Sequence, residues 1–166
     1  MHRNVIVNTS PLFYLHRVGY INLLEKLYAE IVIPEAVVVE LKEGELAGED
    51  TPKIEEYNWI KIKKVTIPAF IKIISDLGYG EAEVLALGCE EFEPLLIMDD
   101  TLGRKIAKLQ SFKLTGTAGV LLRSKKEGYI AEIKPMIERL KEVGFYLSDE
   151  LIAEILKIAG ESENLA

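Results

Sequence analysis

One cysteine, Cys89, and two histidines, His2 and His16, are all the thiol and imidazole ligands in this 166-residue chain. A lone cysteine excludes an internal disulfide, and two histidines so placed do not make a Cys/His zinc site. Any metal is therefore to be held by oxygen, which points to the hard cations Mg²⁺ or Mn²⁺. Long hydrophobic runs are also missing: no apolar stretch approaches the roughly 20 residues that span a bilayer. Met1-His2-Arg3-Asn4 leads into Val5-Ile6-Val7 without the apolar core or cleavage site of a signal peptide. The expectation is a cytoplasmic protein with no membrane partner. Positive charge is scarce too. With 20 basic against 27 acidic residues, the net charge of −7 argues against coating nucleic acid through bulk electrostatics. A nuclease stays open, because its acidic pocket serves a metal and its basic residues can be confined to one rim.

What is present is an alternation of short apolar runs with amphipathic segments, the pattern of an α/β layer architecture. A chain of this length reads as a single domain spanning 1–166. Val5-Ile6-Val7 reads as a first strand ending at Asn8, followed by a helix with Thr9 or Ser10 as its cap and Pro11 at its first position. Helices are expected over 21–28 and from Pro34 through Leu41, with a strand at Ile31-Val32-Ile33 between them. Residues 44–52 read as a loop. Trp59-Ile60-Lys61-Ile62-Lys63 alternates with period two and reads as an edge strand with outward lysines. Helices follow over 68–77, 81–90, 102–109, from Thr117 to Lys125, and over 133–143 and 148–159. A strand at Lys113-Leu114-Thr115 lies among them, and residues 161–166 are expected to fray.

The most telling stretch is Leu95-Leu96-Ile97-Met98-Asp99-Asp100, where an uncharged run stops at two adjacent carboxylates and a helix follows. Strand carboxyl ends are where ligands bind in open α/β sheets, and two like charges there repel unless a cation or protons separate them. Glu40, Glu81 and Glu83 are further carboxylates set among apolar residues, which a charged side chain rarely accepts without a partner. A parallel sheet can bring these separate segments, and Asn8, to one edge.

Taken together the motifs resemble the PIN-domain family, and within it a small prokaryotic group with an N-terminal Asp-Thr-Ser-Pro-Leu motif related to toxin ribonucleases. The matching residues are Asn8-Thr9-Ser10-Pro11-Leu12, Ile33-Pro34-Glu35-Ala36-Val37 leading to Glu40-Leu41, and Gly80-Glu81-Ala82-Glu83-Val84-Leu85. Leu96-Ile97-Met98-Asp99-Asp100, Thr115-Gly116-Thr117-Ala118-Gly119 and Gly144-Phe145-Tyr146-Leu147-Ser148 continue the series in order. The resemblance implies a three-layer α/β fold with a parallel central sheet flanked by helices. It also implies an acid cluster that binds Mg²⁺ or Mn²⁺ for hydrolysis of RNA, an antitoxin partner and a homodimer. Carried over by position, Asn8, Glu40, Glu81 and Asp99 are the catalytic set. Asp99, Glu40, Asp100, Asn8 and Glu83 are candidate metal ligands, with Glu81 and Glu83 rivals for one place. Thr9, Ser10 and Thr117 would hydrogen-bond and orient the ligands. Arg104, Lys105, Lys108 and Arg123, with Lys125 and Lys126 beyond it, are candidate phosphate contacts. The chain departs from the family pattern at Asn8, where that pattern has aspartate: an amide carbonyl can ligate Mg²⁺ but brings no negative charge.

Each assignment has a plainer counterpart. Asp100 suits a helix cap, Glu81 and Glu83 suit a first helical turn, and Ser10 and Thr117 suit caps. Arg104 to Lys108 suits a solvated helix face. Cys89 reads as a small buried hydrophobe, His16 as a boundary residue, and Trp59 and Tyr79 as packing rather than base-stacking residues. The competing function is a PIN-like module that binds RNA or protein with catalysis weakened at Asn8.

Overall fold

The computed structural model describes residues 4–161. Five strands form one all-parallel sheet in the order β3-β2-β1-β4-β5, with β1 at Val5–Val7, β2 at Ile31–Pro34, β3 at Ile60–Lys63, β4 at Leu95–Ile97 and β5 at Lys113–Thr115. The helices are α1 (Thr9–Arg17), α2 (Leu23–Tyr28), α3 (Glu35–Leu46), α4 (Ala69–Lys72), α5 (Tyr79–Glu90), α6 (Thr101–Leu109), α7 (Thr117–Lys126), α8 (Lys134–Glu142) and α9 (Asp149–Ile158). This is the α/β architecture expected from the alternating pattern. No helix among the described residues is long and apolar enough to cross a membrane.

Strands β1 and β4 are buried along their whole length, as a parallel sheet covered on both faces requires, which is why they read as continuous apolar runs rather than alternating ones. Helix α5 packs against β1, β2 and β4 and is flanked by α3 and α6. Its stretch Val84-Leu85-Ala86-Leu87-Gly88 is buried on every side, the condition under which a helix loses its polar face. Gly88 permits the close packing: a Cβ there would meet Phe112 at 2.9 Å and Leu96 at 3.3 Å.

Sheet order decides where the site lies. From β1 the chain runs to β2 and β3 on one side and later returns to β4 and β5 on the other, so the direction of winding reverses between β1 and β4. The crevice outside the carboxyl ends of those two strands is the ligand position in such sheets. Register places Val7 beside Ile97, so Asn8 and Asp99 both emerge at that crevice.

Several local expectations need correction. The helix expected over 68–77 is one turn, Ala69–Lys72; Ile73, whose spacing suggested more, is 82% exposed. The loop expected from Gly44 begins later, because α3 runs to Leu46 and Gly44 lies under Thr51 and Glu49, where a Cβ would meet side-chain atoms at 3.0 and 3.2 Å. Cys89 is exposed, not buried, since it follows the covered stretch of α5. Trp59 is buried, but Tyr79 is 80% exposed. Glu161 is held rather than frayed: its carboxylate accepts from the Ile133 and Lys134 amides and from Lys125. Residues 162–166 lie outside the described residues.

Candidate active site

The site is built where β1 becomes α1. Asn8 retains extended backbone, φ −81° and ψ 174°, and stands at the cap position, while its N–H continues the sheet to the Ile97 carbonyl at 2.9 Å. Neither Thr9 nor Ser10 caps α1; both are inside its first turn. Asn8 is extended and successive helical residues such as Thr9 and Ser10 diverge by about 100°, so the side chains of residues 8, 9 and 10 point differently, and each meets an acid from a different segment. Asn8 Nδ2 donates to Glu81 Oε1 on α5 at 3.2 Å. Thr9 Oγ1 donates to Glu40 Oε2 on α3 at 2.5 Å. Ser10 Oγ donates to Asp99 Oδ2, two residues past β4, at 2.9 Å. Three consecutive polar side chains thus gather acids that are 31, 73 and 89 positions away.

The start of α7 completes the hold on Asp99. Thr117 is fully buried; its N–H donates to Oδ1 at 2.8 Å and its hydroxyl to Oδ2 at 2.7 Å. The expected capping role of Thr117 belongs instead to Gly116, and a carboxylate before the first turn of a helix is favoured by the dipole. A Cβ on Gly116 would lie 2.7 Å from Asp99 Oδ1 and 3.2 Å from Arg104 Nη1, so the bare backbone is what lets both groups close in. Arg104 is fixed there by donation to the Met98 carbonyl at 3.0 Å. Glu40 is held in the same manner: the Gly80 N–H donates to Oε1 at 2.8 Å, and a Cβ on Gly80 would sit 2.7 Å from both carboxylate oxygens. Gly80 and Gly116 have no assigned role in the sequence motifs, although each stands directly before a residue of the candidate site.

The remaining candidates lie elsewhere around this centre. Asp100 Oδ2 accepts from the Gly103 N–H at 2.7 Å and caps α6. Glu83 accepts from the Ala36 N–H at 3.1 Å at the start of α3. Burial pushes the Glu83 carboxyl above its ordinary value, the Ala36 amide partly offsets this, and nearby Glu35 and Glu40 push it further up. Lys105 and Lys108 are exposed on α6, and Arg123 is exposed on α7 with its guanidinium 6.0 Å from the Tyr28 ring centre. Lys125 is turned to the Ala159 carbonyl and Glu161.

A family model described as PIN domain matches residues 4–161. The chain belongs to the PIN-domain family. Among curated proteins nothing matches it. PIN domains are generally nucleases that use divalent ions such as Mg²⁺ or Mn²⁺; they act on RNA and often pair with antitoxins.

The atoms of this PIN domain bear on such an ion directly. Among the described residues, no group of three or more His, Cys, Asp or Glu side chains is close enough to hold a metal, and Glu40, Glu81 and Asp99 are in no ion pair. Their donors are amides and hydroxyls, which orient a carboxylate without cancelling its charge. Asn8 Oδ1, in a residue only 1% exposed, is buried with no hydrogen-bond partner. Reversing that amide would set two acceptor oxygens against each other at Glu81, so the geometry fixes Oδ1 as the free atom. With no three of these carboxylates around one point, the donor chemistry suits only a hard ion held by one or two carboxylates, the orphaned oxygen and several waters, which is the ordinary manner of Mg²⁺.

Proposed function

We propose that this protein is a divalent-metal-dependent ribonuclease that hydrolyses phosphodiester bonds at the carboxyl edge of β1 and β4. The observation that carries the reading is the meeting of Glu81, Glu40 and Asp99 with the consecutive side chains of Asn8, Thr9 and Ser10, at the crevice where the direction of winding reverses between β1 and β4. Asp99 and Asn8 Oδ1 would hold Mg²⁺ or Mn²⁺ directly, and Glu40 and Glu81 through water. The ion, when bound, acidifies a water and offsets the charge of the scissile phosphate. Thr9, Ser10 and Thr117 keep the acids from turning away. Arg104, fixed beside Asp99, and exposed Lys105, Lys108 and Arg123 are the positive groups that receive RNA phosphates, with Asp100 and Glu83 at the margin of the ion's site. Such a nuclease fits the toxin of a toxin–antitoxin pair, with a protein antitoxin as partner and a homodimer as its assembly.

The test is cleavage of a mixed single-stranded RNA pool by the purified protein with Mn²⁺ or Mg²⁺, beside EDTA and Asp99→Asn. Cleavage that requires metal and is lost in Asp99→Asn is the expected result. A native protein that binds RNA without cutting it would establish the second reading, a binding module, which the amide at position 8 favours because it removes one negative charge from the ion's surroundings.

A further inference from the structure

Glu81 has one hydrogen-bond partner among the described residues, the Asn8 amide, and that bond crosses from α5 to the end of β1. A carboxylate facing this buried position needs a positive or hydrogen-donating group opposite it, because a second carboxylate at such a distance cannot ionise as well without a proton or a cation between them. Asn8 supplies that group in neutral form. Its two amide ends are used differently: Nδ2 is committed to Glu81, and Oδ1 is buried and unpartnered.

We infer that Asn8 is a positioning residue whose amide N–H does for Glu81 what a bound cation would otherwise have to do, so that this site is fully assembled in the metal-free protein. The consequence is an uncoupling of folding from metal. With aspartate at position 8, removal of metal would leave two carboxylates in opposition and loosen the α5–β1 contact. With asparagine, the metal-free and metal-loaded proteins share one arrangement of Glu81. The same substitution sets the affinity: Asn8 Oδ1 offers a dipole rather than a charge, so the ion is held weakly and exchanges readily. The inference shares the site of the proposed nuclease but not its hydrolysis, and its test uses no RNA. A failed cleavage assay therefore leaves it standing, and its own failure leaves the nuclease reading standing.

The experiment is thermal melting of the full chain in EDTA and in MnCl₂ for four proteins: native, Asn8→Asp, Glu81→Gln, and the exchanged pair Asn8→Asp/Glu81→Gln. Native protein should melt at nearly the same temperature in both buffers. Asn8→Asp should melt lower in EDTA and recover with Mn²⁺. The exchanged pair restores one amide and one carboxylate with donor and acceptor reversed, so it should regain most of the loss in EDTA, which a merely structural disturbance at position 8 would not allow. Titration calorimetry with Mn²⁺ alone should show Asn8→Asp binding at least about tenfold tighter than native, since added ligand charge raises affinity. Should Asn8→Asp fail to fold in EDTA, folding of the exchanged pair supports the inference and failure of both overturns it. Equal melting of native and Asn8→Asp in EDTA, or a large drop for native protein on metal removal, would likewise overturn it.

Discussion

Gly80→Ala sets two physical effects of opposite sign against each other. Gly80 is the second residue of α5 and its backbone is not in the left-handed region, so by helix propensity alone alanine should stabilise by about 0.5–1 kcal/mol. The added Cβ, however, would lie 2.7 Å from both oxygens of Glu40 and 2.9 Å from its carboxyl carbon. Glu40 must then leave, and with it go the bonds from the Gly80 N–H at 2.8 Å and from Thr9 at 2.5 Å. Hydrogen bonds to a charged group are worth about 1.5–3 kcal/mol each when lost. Glu40 is half-buried and can be rehydrated after rotating outward, so only part of that loss is realised. The net expectation is destabilisation by about 1–2 kcal/mol, a fall of roughly 3–6 °C in melting temperature for a domain of this size. The decisive comparison is a double-mutant cycle. In a Glu40→Ala background the obstruction is gone, and Gly80→Ala should become neutral or stabilising by about 0.5 kcal/mol. A higher melting temperature for Gly80→Ala in the native background, or the same loss in both backgrounds, would refute the argument that the missing side chain exists to seat Glu40.

Gly116→Ala should leave the backbone undisturbed, since φ is −129° there, yet push Asp99 away from Thr117; RNA cleavage should fall at least about tenfold while the far-ultraviolet circular dichroism is unchanged. Thr117→Val removes one of three donors to Asp99 and leaves a half-buried carboxylate oxygen with one bond fewer. The expected cost is about 1–2 kcal/mol in urea unfolding, with no change in the slope against denaturant. Glu83→Gln keeps an acceptor for the Ala36 N–H and removes repulsion from Glu35 and Glu40. Because burial and these neighbours raise the Glu83 carboxyl in the folded state, the native protein loses stability as pH rises through that raised value, and the variant should be the more stable at pH 7 but not at pH 4. Glu161 has the opposite sign. Burial opposes its ionisation, but the Ile133 and Lys134 amides and Lys125 outweigh it and hold the carboxyl below its ordinary value. Its contribution is present above the ordinary carboxylate range and lost as pH falls through the lowered one, so Glu161→Gln should flatten the acid limb of the stability profile.

By itself the sequence determined the fold class and the order of the elements, because a parallel sheet covered on both faces leaves a mark in one dimension: Val5-Ile6-Val7, Ile31-Val32-Ile33 and Leu95-Leu96-Ile97 are short unbroken apolar runs separated by helical spacing. It also marked the acids, since Glu40, Glu81 and Asp99 stand among apolar neighbours. Exposure was less legible. The apolar spacing at Ile73 and the small apolar character of Cys89 suggested burial, but burial depends on what lies opposite, and both positions are exposed. Capping was equally ambiguous in one dimension, because a serine or threonine at a helix start has the same hydroxyl whether it bonds the backbone or a distant acid; only the approach of Asp99 and Glu40 settled Ser10, Thr117 and Thr9 in favour of the acids. Glu81 and Glu83 illustrate the same limit. Two positions apart on one helix, they diverge by about 200°, and it is the packing of α5 against β1 and α3 that sends one to Asn8 and the other to the Ala36 amide. The roles of Gly80 and Gly116 depended on tertiary structure altogether, for the space a missing side chain leaves has meaning only when another segment's carboxylate occupies it.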